Sequence, residues 1–159
     1  MSGSTGRVIV ASNRAAAGVY ADDTGPVLVT ALTEWGFETP PAVVVPDGEP
    51  VADALRAAVS DGVAVVLTTG GTGISPTDRT PEATAELLDI ELPGVAEAIR
   101  AHGIAKGVPT AALSRGCAGV AGKTLVINLP GSRGGVADAI TVLAGIVPHA
   151  VSQIRGVDH

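Results

Sequence analysis

Short runs of β-branched and apolar residues alternate along this chain with stretches that carry apolar residues at helical spacing. This alternation is typical of βαβ units, and it restricts the fold to a small group of α/β architectures. The run over 63–67 is continuously apolar, as expected for a parallel strand buried on both faces. Strands are predicted over 8–11, 42–45, 63–68, 110–114 and 124–129, and helices over 26–35, 50–61, 80–89, 93–102 and 136–147. The sequence therefore predicts a three-layer α/β/α fold with a mostly parallel sheet.

The length of 159 residues and the hydrophobic content of 46% suit one domain with a sizeable core. No internal repeat or linker composition divides the chain. A single domain is predicted over 7–155, preceded by a flexible segment at 1–6 and followed by a tail at 156–159.

Charge and composition exclude several classes of protein. The 10 Lys and Arg residues face 16 Asp and Glu residues, for a net charge of −6, and they form no basic cluster. Nucleic-acid binding depends on neutralising phosphates and on aromatic stacking, and only three aromatic residues occur. The longest strictly apolar run is far below the roughly 18 residues that a membrane span needs. With no signal-like segment at the polar start of the chain, the cytoplasm is the expected compartment.

Two long segments without clear periodicity, 12–25 and 69–79, each follow a predicted strand. Loops of this length in a compact domain are usually functional or disordered. Open α/β sheets bind their ligands at the carboxyl ends of the strands. The glycine, hydroxyl and aspartate content of both segments therefore indicates function.

The most distinctive motif is the glycine-rich stretch 68–78, with Gly70, Gly71 and Gly73 within four positions. Such glycines allow successive backbone N–H groups to point at an anion. The stretch lacks the ending of a P-loop and is not a dinucleotide GxGxxG motif. A plain tight turn is the alternative interpretation. The candidate ligand-binding residues here are Thr69, Gly70, Gly71, Thr72, Gly73 and Ser75.

Asp47 and Asp78 are the candidate catalytic and metal-binding residues. Each follows a predicted strand, and we expect the two strands to be adjacent, so that both carboxylates form one acidic floor. Carboxylates are the protein ligands of Mg²⁺, which usually takes one or two of them and retains waters. Taken singly, each aspartate also suits a turn or a helix start.

Two further polar clusters complete the candidate set. Backbone N–H groups at the start of the last helix suit an anion, although a simple helix cap explains the same pattern. The clusters are Ser12, Asn13 and Arg14 after the first strand, and Asn128, Pro130, Gly131 and Ser132 after the last.

Cys117, the single cysteine, is interpreted as a small packing residue, and the three histidines as non-catalytic.

Several of these motifs occur together in an order and spacing that extend over 7–153. They are the segments 12–20, 45–47, 68–73, 113–115 and 128–131, with Asp78 followed by Thr-Pro-Glu-Ala-Thr at 80–84. Together they resemble the Mog/MoaB family of molybdenum cofactor biosynthesis proteins. The glycine loop with its downstream Asp-x-Thr-Pro is the most specific of these motifs.

The resemblance implies a molybdopterin-binding-like α/β fold, a homotrimer and molybdopterin adenylyltransferase activity. In that reaction the terminal phosphate of molybdopterin attacks the α-phosphate of ATP, and pyrophosphate leaves with the help of Mg²⁺. The two aspartates linked to catalysis in the family match Asp47 and Asp78. The glycine loop, Ser114 and the turn 130–132 match positions that line the ligand pocket. A molybdenum-insertion protein is the implied partner.

Two departures and two alternatives accompany the resemblance. Asn13 stands where the family often has aspartate, and Gly48 stands where it often has an acidic residue. Asn13 is therefore expected to bind ligand without contributing charge to a metal.

One alternative function is a non-catalytic molybdopterin-binding scaffold, but retention of Asp47 and Asp78 favours the enzyme. The other is a nucleotide-pyrophosphate hydrolase similar to the competence-damage-inducible proteins, whose loop usually reads Gly-Gly-Leu-Gly where this chain has Thr72.

Overall fold

The structure, a computed structural model, describes residues 4–157 and arranges its strands in one sheet of order β2-β1-β3-β6-β5-β4. The first four strands in this order are parallel, β5 is antiparallel to β6, and β4 is antiparallel to β5. The strands are β1 (Gly6–Ala11), β2 (Val43–Val45), β3 (Val65–Thr69), β4 (Ile90–Glu91), β5 (Ala118–Ala121) and β6 (Thr124–Leu129). The expected mostly parallel sheet is confirmed.

Helices cover both faces of this sheet. They are α1 (Asn13–Ala16), α2 (Gly25–Glu34), α3 (Glu49–Ser60), α4 (Thr80–Ala85), α5 (Pro93–Ala105), α6 (Arg133–Leu143) and α7 (Val147–Ile154), with a 3₁₀ helix at Pro109–Leu113. Residues of α2, α5, α6 and α7 share one hydrophobic cluster, and residues of α3 and α4 share the other. Side chains of β1 alternate between the clusters, Val8 and Val10 entering the first and Ile9 and Ala11 the second, because successive strand residues point to opposite faces. The three-layer α/β/α architecture is confirmed.

The largest error of the sequence prediction lies between 110 and 122. The predicted strand 110–114 is a 3₁₀ helix, and the predicted connection 116–122 contains β5. Residues 118–121 read Ala-Gly-Val-Ala, a sequence with little intrinsic preference for strand. Antiparallel pairing with β6 on one side and β4 on the other holds them in the sheet, because tertiary context outweighs propensity in strands.

Three smaller differences concern helices. The helix predicted over 80–89 ends at Ala85, and β4 follows it. The segment 12–25 contains the short helix α1, which Ser12 caps. The last predicted helix, 136–147, is divided into α6 and α7, which are bent by 57° relative to each other.

The predicted segment at 1–6 is only partly described. Residues 1–3 lie outside the described range, whereas Ser4 is buried, Thr5 bridges to Glu38 and Gly6 begins β1. Residues 4–6 are thus packed against the fold, a correction to the expected flexible segment. At the other end, residues 158 and 159 of the predicted tail also lie outside the described range.

Within residues 4–157, no single helix has the length and apolar composition needed to cross a membrane, and only the bent pair α6 and α7 meets that test together.

The strand register brings the predicted polar segments to one edge of the sheet. Ala11 pairs with Val45, and Thr69 pairs with both Val10 and Leu129. The carboxyl ends of β2, β1, β3 and β6 therefore lie level, and the chain leaves each of them into one of the candidate segments.

Candidate functional site

A cavity of about 410 Å³ opens at this edge of the sheet. One wall is the glycine loop with Asp78, another is formed by α5 and the 3₁₀ helix, and the third is the turn from β6 into α6. The predicted residues that line it are Gly70, Gly71, Thr72, Gly73, Asp78, Ser114, Pro130, Gly131 and Ser132. Most of the candidate residues thus share one surface.

The glycine loop depends on left-handed backbone at Gly70 and Gly71, whose φ angles are +90° and +68°. A β-carbon on Gly71 would lie 2.3 Å from Thr80 Oγ1 and 3.0 Å from Asp47 Oδ1. The loop can therefore pass this close to both side chains only with glycine at position 71. Two backbone hydrogen bonds hold the turn: Gly70 N donates to Leu129 O at 3.2 Å, and Thr80 N donates to Gly71 O at 3.1 Å.

Asp47 holds a carboxylate oxygen that the protein leaves unpaired. Its Oδ1 is buried and has no hydrogen-bond partner among the described residues. Thr80 Oγ1, close to Gly71, is also buried and has no partner among them. Burial raises the pKa of Asp47, and the charge of Asp78 raises it further. Asn13 Oδ1 accepts a hydrogen bond from Asp47 N at 2.9 Å. Asn13 therefore positions the backbone of Asp47, a role that the sequence did not indicate.

Asp78 follows the glycine loop in the chain and lines the cavity. Its Oδ2 accepts a hydrogen bond from Ser75 N at 3.0 Å, and its N donates to Ser75 O at 3.0 Å. The two aspartates do not follow adjacent strands as expected, because β1 lies between β2 and β3. The glycine loop instead carries Asp78 to within electrostatic reach of Asp47.

This oxygen set is chemically suited to Mg²⁺. The unpaired, buried Oδ1 of Asp47 lies beside the unpaired hydroxyl of Thr80, with the Asp78 carboxylate close enough to raise the pKa of Asp47. Hard oxygen donors of this kind are the ligands that Mg²⁺ prefers. The described residues contain no group of three or more His, Cys, Asp or Glu able to hold a metal. A cation here would therefore need further oxygens from water or a ligand phosphate.

Arg115 is the main functional candidate that the site prediction omitted. Its Nε donates to Gly73 O at 2.8 Å, its Nη2 donates to Asp78 O at 3.1 Å, and its Nη1 pairs with Glu82. Its backbone N also donates to Thr72 O at 2.8 Å. Arg115 thus holds both ends of the segment between Gly73 and Asp78.

A second cavity of about 160 Å³ lies on the other side of Gly70 and Gly131, which line both cavities. Ser12 and Thr69 line it. Their hydroxyls already have protein partners, since Ser12 Oγ caps α1 and Thr69 Oγ1 donates to Pro130 O at 2.7 Å. Arg14 is exposed and lines neither cavity.

Asn128, also predicted to bind ligand, lies apart from the residues that line the cavity. It is only 3% exposed and does not line the cavity. Its Oδ1 accepts from Cys117 N, and its Nδ2 donates to Thr68 Oγ1 and Thr84 Oγ1. Its side-chain polar atoms therefore connect β6 to β3, to α4 and to the residue before β5, and its role in this structure is to hold these elements together.

The remaining predicted serines differ in position. Ser132 lines the cavity and caps α6, its Oγ accepting from Gly135 N at 3.0 Å. Ser114 also lines the cavity, with its Oγ accepting from Gly116 N at 3.3 Å. Ser75 is exposed outside the cavity and contributes through the backbone N–H that holds Asp78.

Cys117 has the environment of a packing residue. Burial raises the pKa of its thiol, and the charges of Glu91 and Glu82 raise it further. The thiol is therefore protonated at neutral pH, which disfavours a nucleophilic role.

Replacing Asp47 by asparagine is expected to raise the Tm at neutral pH by about 1–3 °C. The increase is small because the carboxylate is partly exposed and solvent screens its charge. The folded-state pKa of Asp47 is raised, so its stabilising contribution is present below the unfolded pKa and is lost as pH rises through the folded pKa. The neutral amide avoids that loss. Thermal denaturation at pH 7 and at about pH 4 measures the difference between variant and wild type.

The gain in Tm should be smaller at the lower pH, because Asp47, whose folded-state pKa is raised, is then protonated to a larger extent in the folded protein. Asp53→Asn is the matched control, because Asp53 pairs with Arg56 on the exposed face of α3; its Tm should be unchanged or slightly lower. A lower Tm of Asp47→Asn at pH 7 would contradict the assigned cost of the buried carboxylate.

Comparisons with known proteins agree with this geometry. Residues 7–149 match the family model described as "Probable molybdopterin binding domain". The solved structure of the molybdopterin biosynthesis Mog protein from Mycobacterium ulcerans is 52% identical, with a TM-score of 0.89 over 95% of this chain and 99% of that one. A molybdopterin adenylyltransferase from Helicobacter pylori is 35% identical over 94% of this chain and 86% of its own length.

Some relatives are considerably longer. The molybdenum cofactor biosynthesis bifunctional protein of Synechococcus elongatus is 40% identical over 154 residues, which cover 96% of this chain but 48% of that protein. The chain thus spans about half the length of this curated relative. The family match over 143 residues (7–149) covers most of the chain, and the chain therefore belongs to the Mog/MoaB family of molybdenum cofactor biosynthesis proteins.

Proposed function

We propose that this protein transfers the adenylyl group of ATP to the terminal phosphate of molybdopterin, giving adenylylated molybdopterin and pyrophosphate. The observation that carries the proposal is the pair Asp47 and Asp78, electrostatically coupled across a glycine loop that lines the cavity. The name of the Helicobacter pylori relative, molybdopterin adenylyltransferase, supports the same reaction.

In this reaction an oxygen of the molybdopterin phosphate attacks the α-phosphorus of ATP. The new P–O bond forms as the bond from the α-phosphorus to its bridging oxygen breaks, and pyrophosphate leaves with that electron pair. The attacking phosphate is already anionic near neutral pH, so no general base is required. The main barrier is repulsion between phosphates, which the chain has to offset by electrostatic preorganisation.

Two backbone features supply that preorganisation. The glycine loop and the first turn of α6, including Gly134 and Gly135, line the same cavity. Gly135 N is bonded to Ser132 Oγ, so at this turn the positive end of the helix dipole and the backbone of Gly134 are what favour phosphate. The two cavities that meet at Gly70 and Gly131 give adjoining space for two substrates.

Asp47 and Asp78 are the residues that would hold Mg²⁺, with Thr80 Oγ1 beside them. When bound, the cation supplies charge neutralisation for the phosphates of ATP. The carboxylates themselves repel phosphate in the absence of a cation, so activity should require Mg²⁺ and not merely increase with it.

The direct test is incubation of the protein with molybdopterin, ATP and Mg²⁺, with pyrophosphate release and adenylylated pterin measured by mass spectrometry. Pterin-dependent formation of both products supports the proposal. Tight pterin binding without product would favour the non-catalytic scaffold, and Asn13 and Gly48 would then be the first positions to change. Pyrophosphate-bond hydrolysis without pterin would favour the hydrolase.

Arg115→Lys is expected to lower the kcat of this reaction by about 10- to 100-fold, because misplacement of a site by about 1 Å costs up to that much. Lysine keeps the charge but cannot reach Gly73 O, Asp78 O and Glu82 together. The KM for ATP and the kcat are measured separately, with Arg56→Lys on the surface of α3 as control. An unchanged kcat would show that the loop holds its geometry without the arginine.

We also propose a homotrimer and a molybdenum-insertion protein as partner, both of which the family implies, and a cytoplasmic location. The described residues include exposed large apolar side chains, which are available for a subunit interface; among them are Val27, Ile90 and Ile104. Sedimentation equilibrium measures the oligomeric state directly.

A further inference from the structure

We infer that Asp138 is the residue that selects a pterin, by accepting hydrogen bonds from the 2-amino-4-oxo edge of its ring. The inference rests on the proposed function, since it concerns the substrate of that same cavity. It adds a specificity-determining residue that the sequence motifs do not contain.

The position of Asp138 on α6 is the first observation. Gly134, Gly135 and Asp138 all line the cavity. Residues three and four apart lie on the same helix face, one turn or about 5.4 Å from each other along the axis. The same face of α6 therefore carries the positive end of the helix dipole at Gly134 and a carboxylate one turn further along.

The charges around the cavity are the second observation. Among the described residues that line it, the charged ones are Asp78, Arg100 and Asp138. Arg100 Nη1 donates to Ser114 O at 3.3 Å and to Gly116 O at 2.9 Å, so it is engaged with the backbone. His102 Nε2 lies 3.8 Å from Asp138 Oδ1, and His102 does not line the cavity. Asp138 is therefore the one lining carboxylate that the proposed metal site does not use.

The apolar walls of the cavity are the third observation. Ile99, Val108, Ala111 and Leu113 line the same cavity and are apolar. A β-carbon on Gly103 would lie 2.8 Å from the Ala111 Cβ, so α5 and the 3₁₀ helix approach each other closely. Apolar walls with one polar acceptor suit a flat heteroaromatic ring whose edge carries hydrogen-bond donors.

A pterin has that chemistry. Its 2-amino group and the neighbouring ring N–H point in the same direction and can donate to the two oxygens of a carboxylate, as an arginine fork does. In a lumazine the 2-amino group is replaced by a carbonyl, which would face the carboxylate oxygen as a second acceptor. A site built for a donor rejects such an analogue, because its buried acceptor is left unpaired.

The test measures binding without turnover, using the fluorescence of 6-hydroxymethylpterin phosphate and of its lumazine counterpart. Wild-type protein is expected to bind the pterin at least about tenfold more tightly. Asp138→Asn should weaken pterin binding about tenfold or more and bring the ratio of the two Kd values close to one, because an amide offers both donor and acceptor. Glu97→Gln, on the exposed face of α5, is the matched control and should keep the wild-type ratio.

An unchanged ratio in Asp138→Asn, equal affinity of the wild type for both probes, or no measurable binding of either would overturn the inference. Its failure is distinct from failure of the proposed function. Selective pterin binding without ATP-dependent product would leave Asp138 as the selecting residue and refute the transferase. Turnover with an unchanged ratio would do the reverse.

Discussion

Asp78→Asn is expected to lower the kcat of adenylyl transfer by about 10²–10³-fold, the range found when one preorganised electrostatic group is removed. The substitution removes one of the two charges placed to hold Mg²⁺. It also preserves the local fold, because the amide oxygen of asparagine can still accept the hydrogen bond from Ser75 N. Pyrophosphate release at saturating ATP and pterin measures the effect.

The Tm of this variant should stay within about 2 °C of the wild type. Asp61→Asn serves as the matched control, because Asp61 is exposed and its pairing with Arg7 at 3.4 Å is weak. Near-wild-type activity of Asp78→Asn in a pure preparation would refute the assignment of a metal-binding pair.

Gly70→Ala is expected to destabilise the protein by about 3 kcal/mol or more, a fall in Tm of roughly 6–12 °C. Two effects combine at this position. Gly70 has a φ of +90°, which costs any L side chain energy, and a β-carbon would lie 2.3 Å from Ala11 O in β1. That oxygen is backbone of a central strand, so it cannot move aside.

Gly62→Ala separates the two effects. Gly62 has a φ of +72° but open space where its β-carbon would stand, so only the conformational cost of about 1 kcal/mol applies. Thermal denaturation of both variants provides the comparison. Equal losses of Tm would show that the contact with Ala11 contributes nothing. If the folded Gly70→Ala variant, measured below its Tm, binds ligand more weakly than the wild type, the glycine loop also shapes the ligand-binding cavity.

The sequence was most informative where strands end. Aliphatic runs followed by glycine, proline or small polar residues marked the carboxyl ends of β1, β2, β3 and β6, and the structure brings all four ends to one edge. Binding groups at those ends follow from the rule for parallel sheets. The Asp47 and Asp78 pair could therefore be predicted, although the order of their strands could not.

The parts that sequence could not show depend on long-range contacts. Nothing in the pattern around Asn128 indicates that its amide is consumed by Thr68, Thr84 and Cys117. Arg115 had a signal in the Ser-Arg pair at 114–115, but no spacing rule connects it to Gly73 or Asp78. The small residues of β5 became a strand only because neighbouring strands were available to pair with them.

The level ends of the four parallel strands have a thermodynamic consequence. The groups that would meet a ligand come from segments as far apart as residues 12 and 138, and no partly folded fragment brings them together. Ligand binding is then coupled to cooperative unfolding of the whole sheet, and stability should rise with ligand concentration as RT ln(1 + [L]/Kd). Slower amide hydrogen exchange should accordingly extend through the central strands, well beyond the loops that contact the ligand.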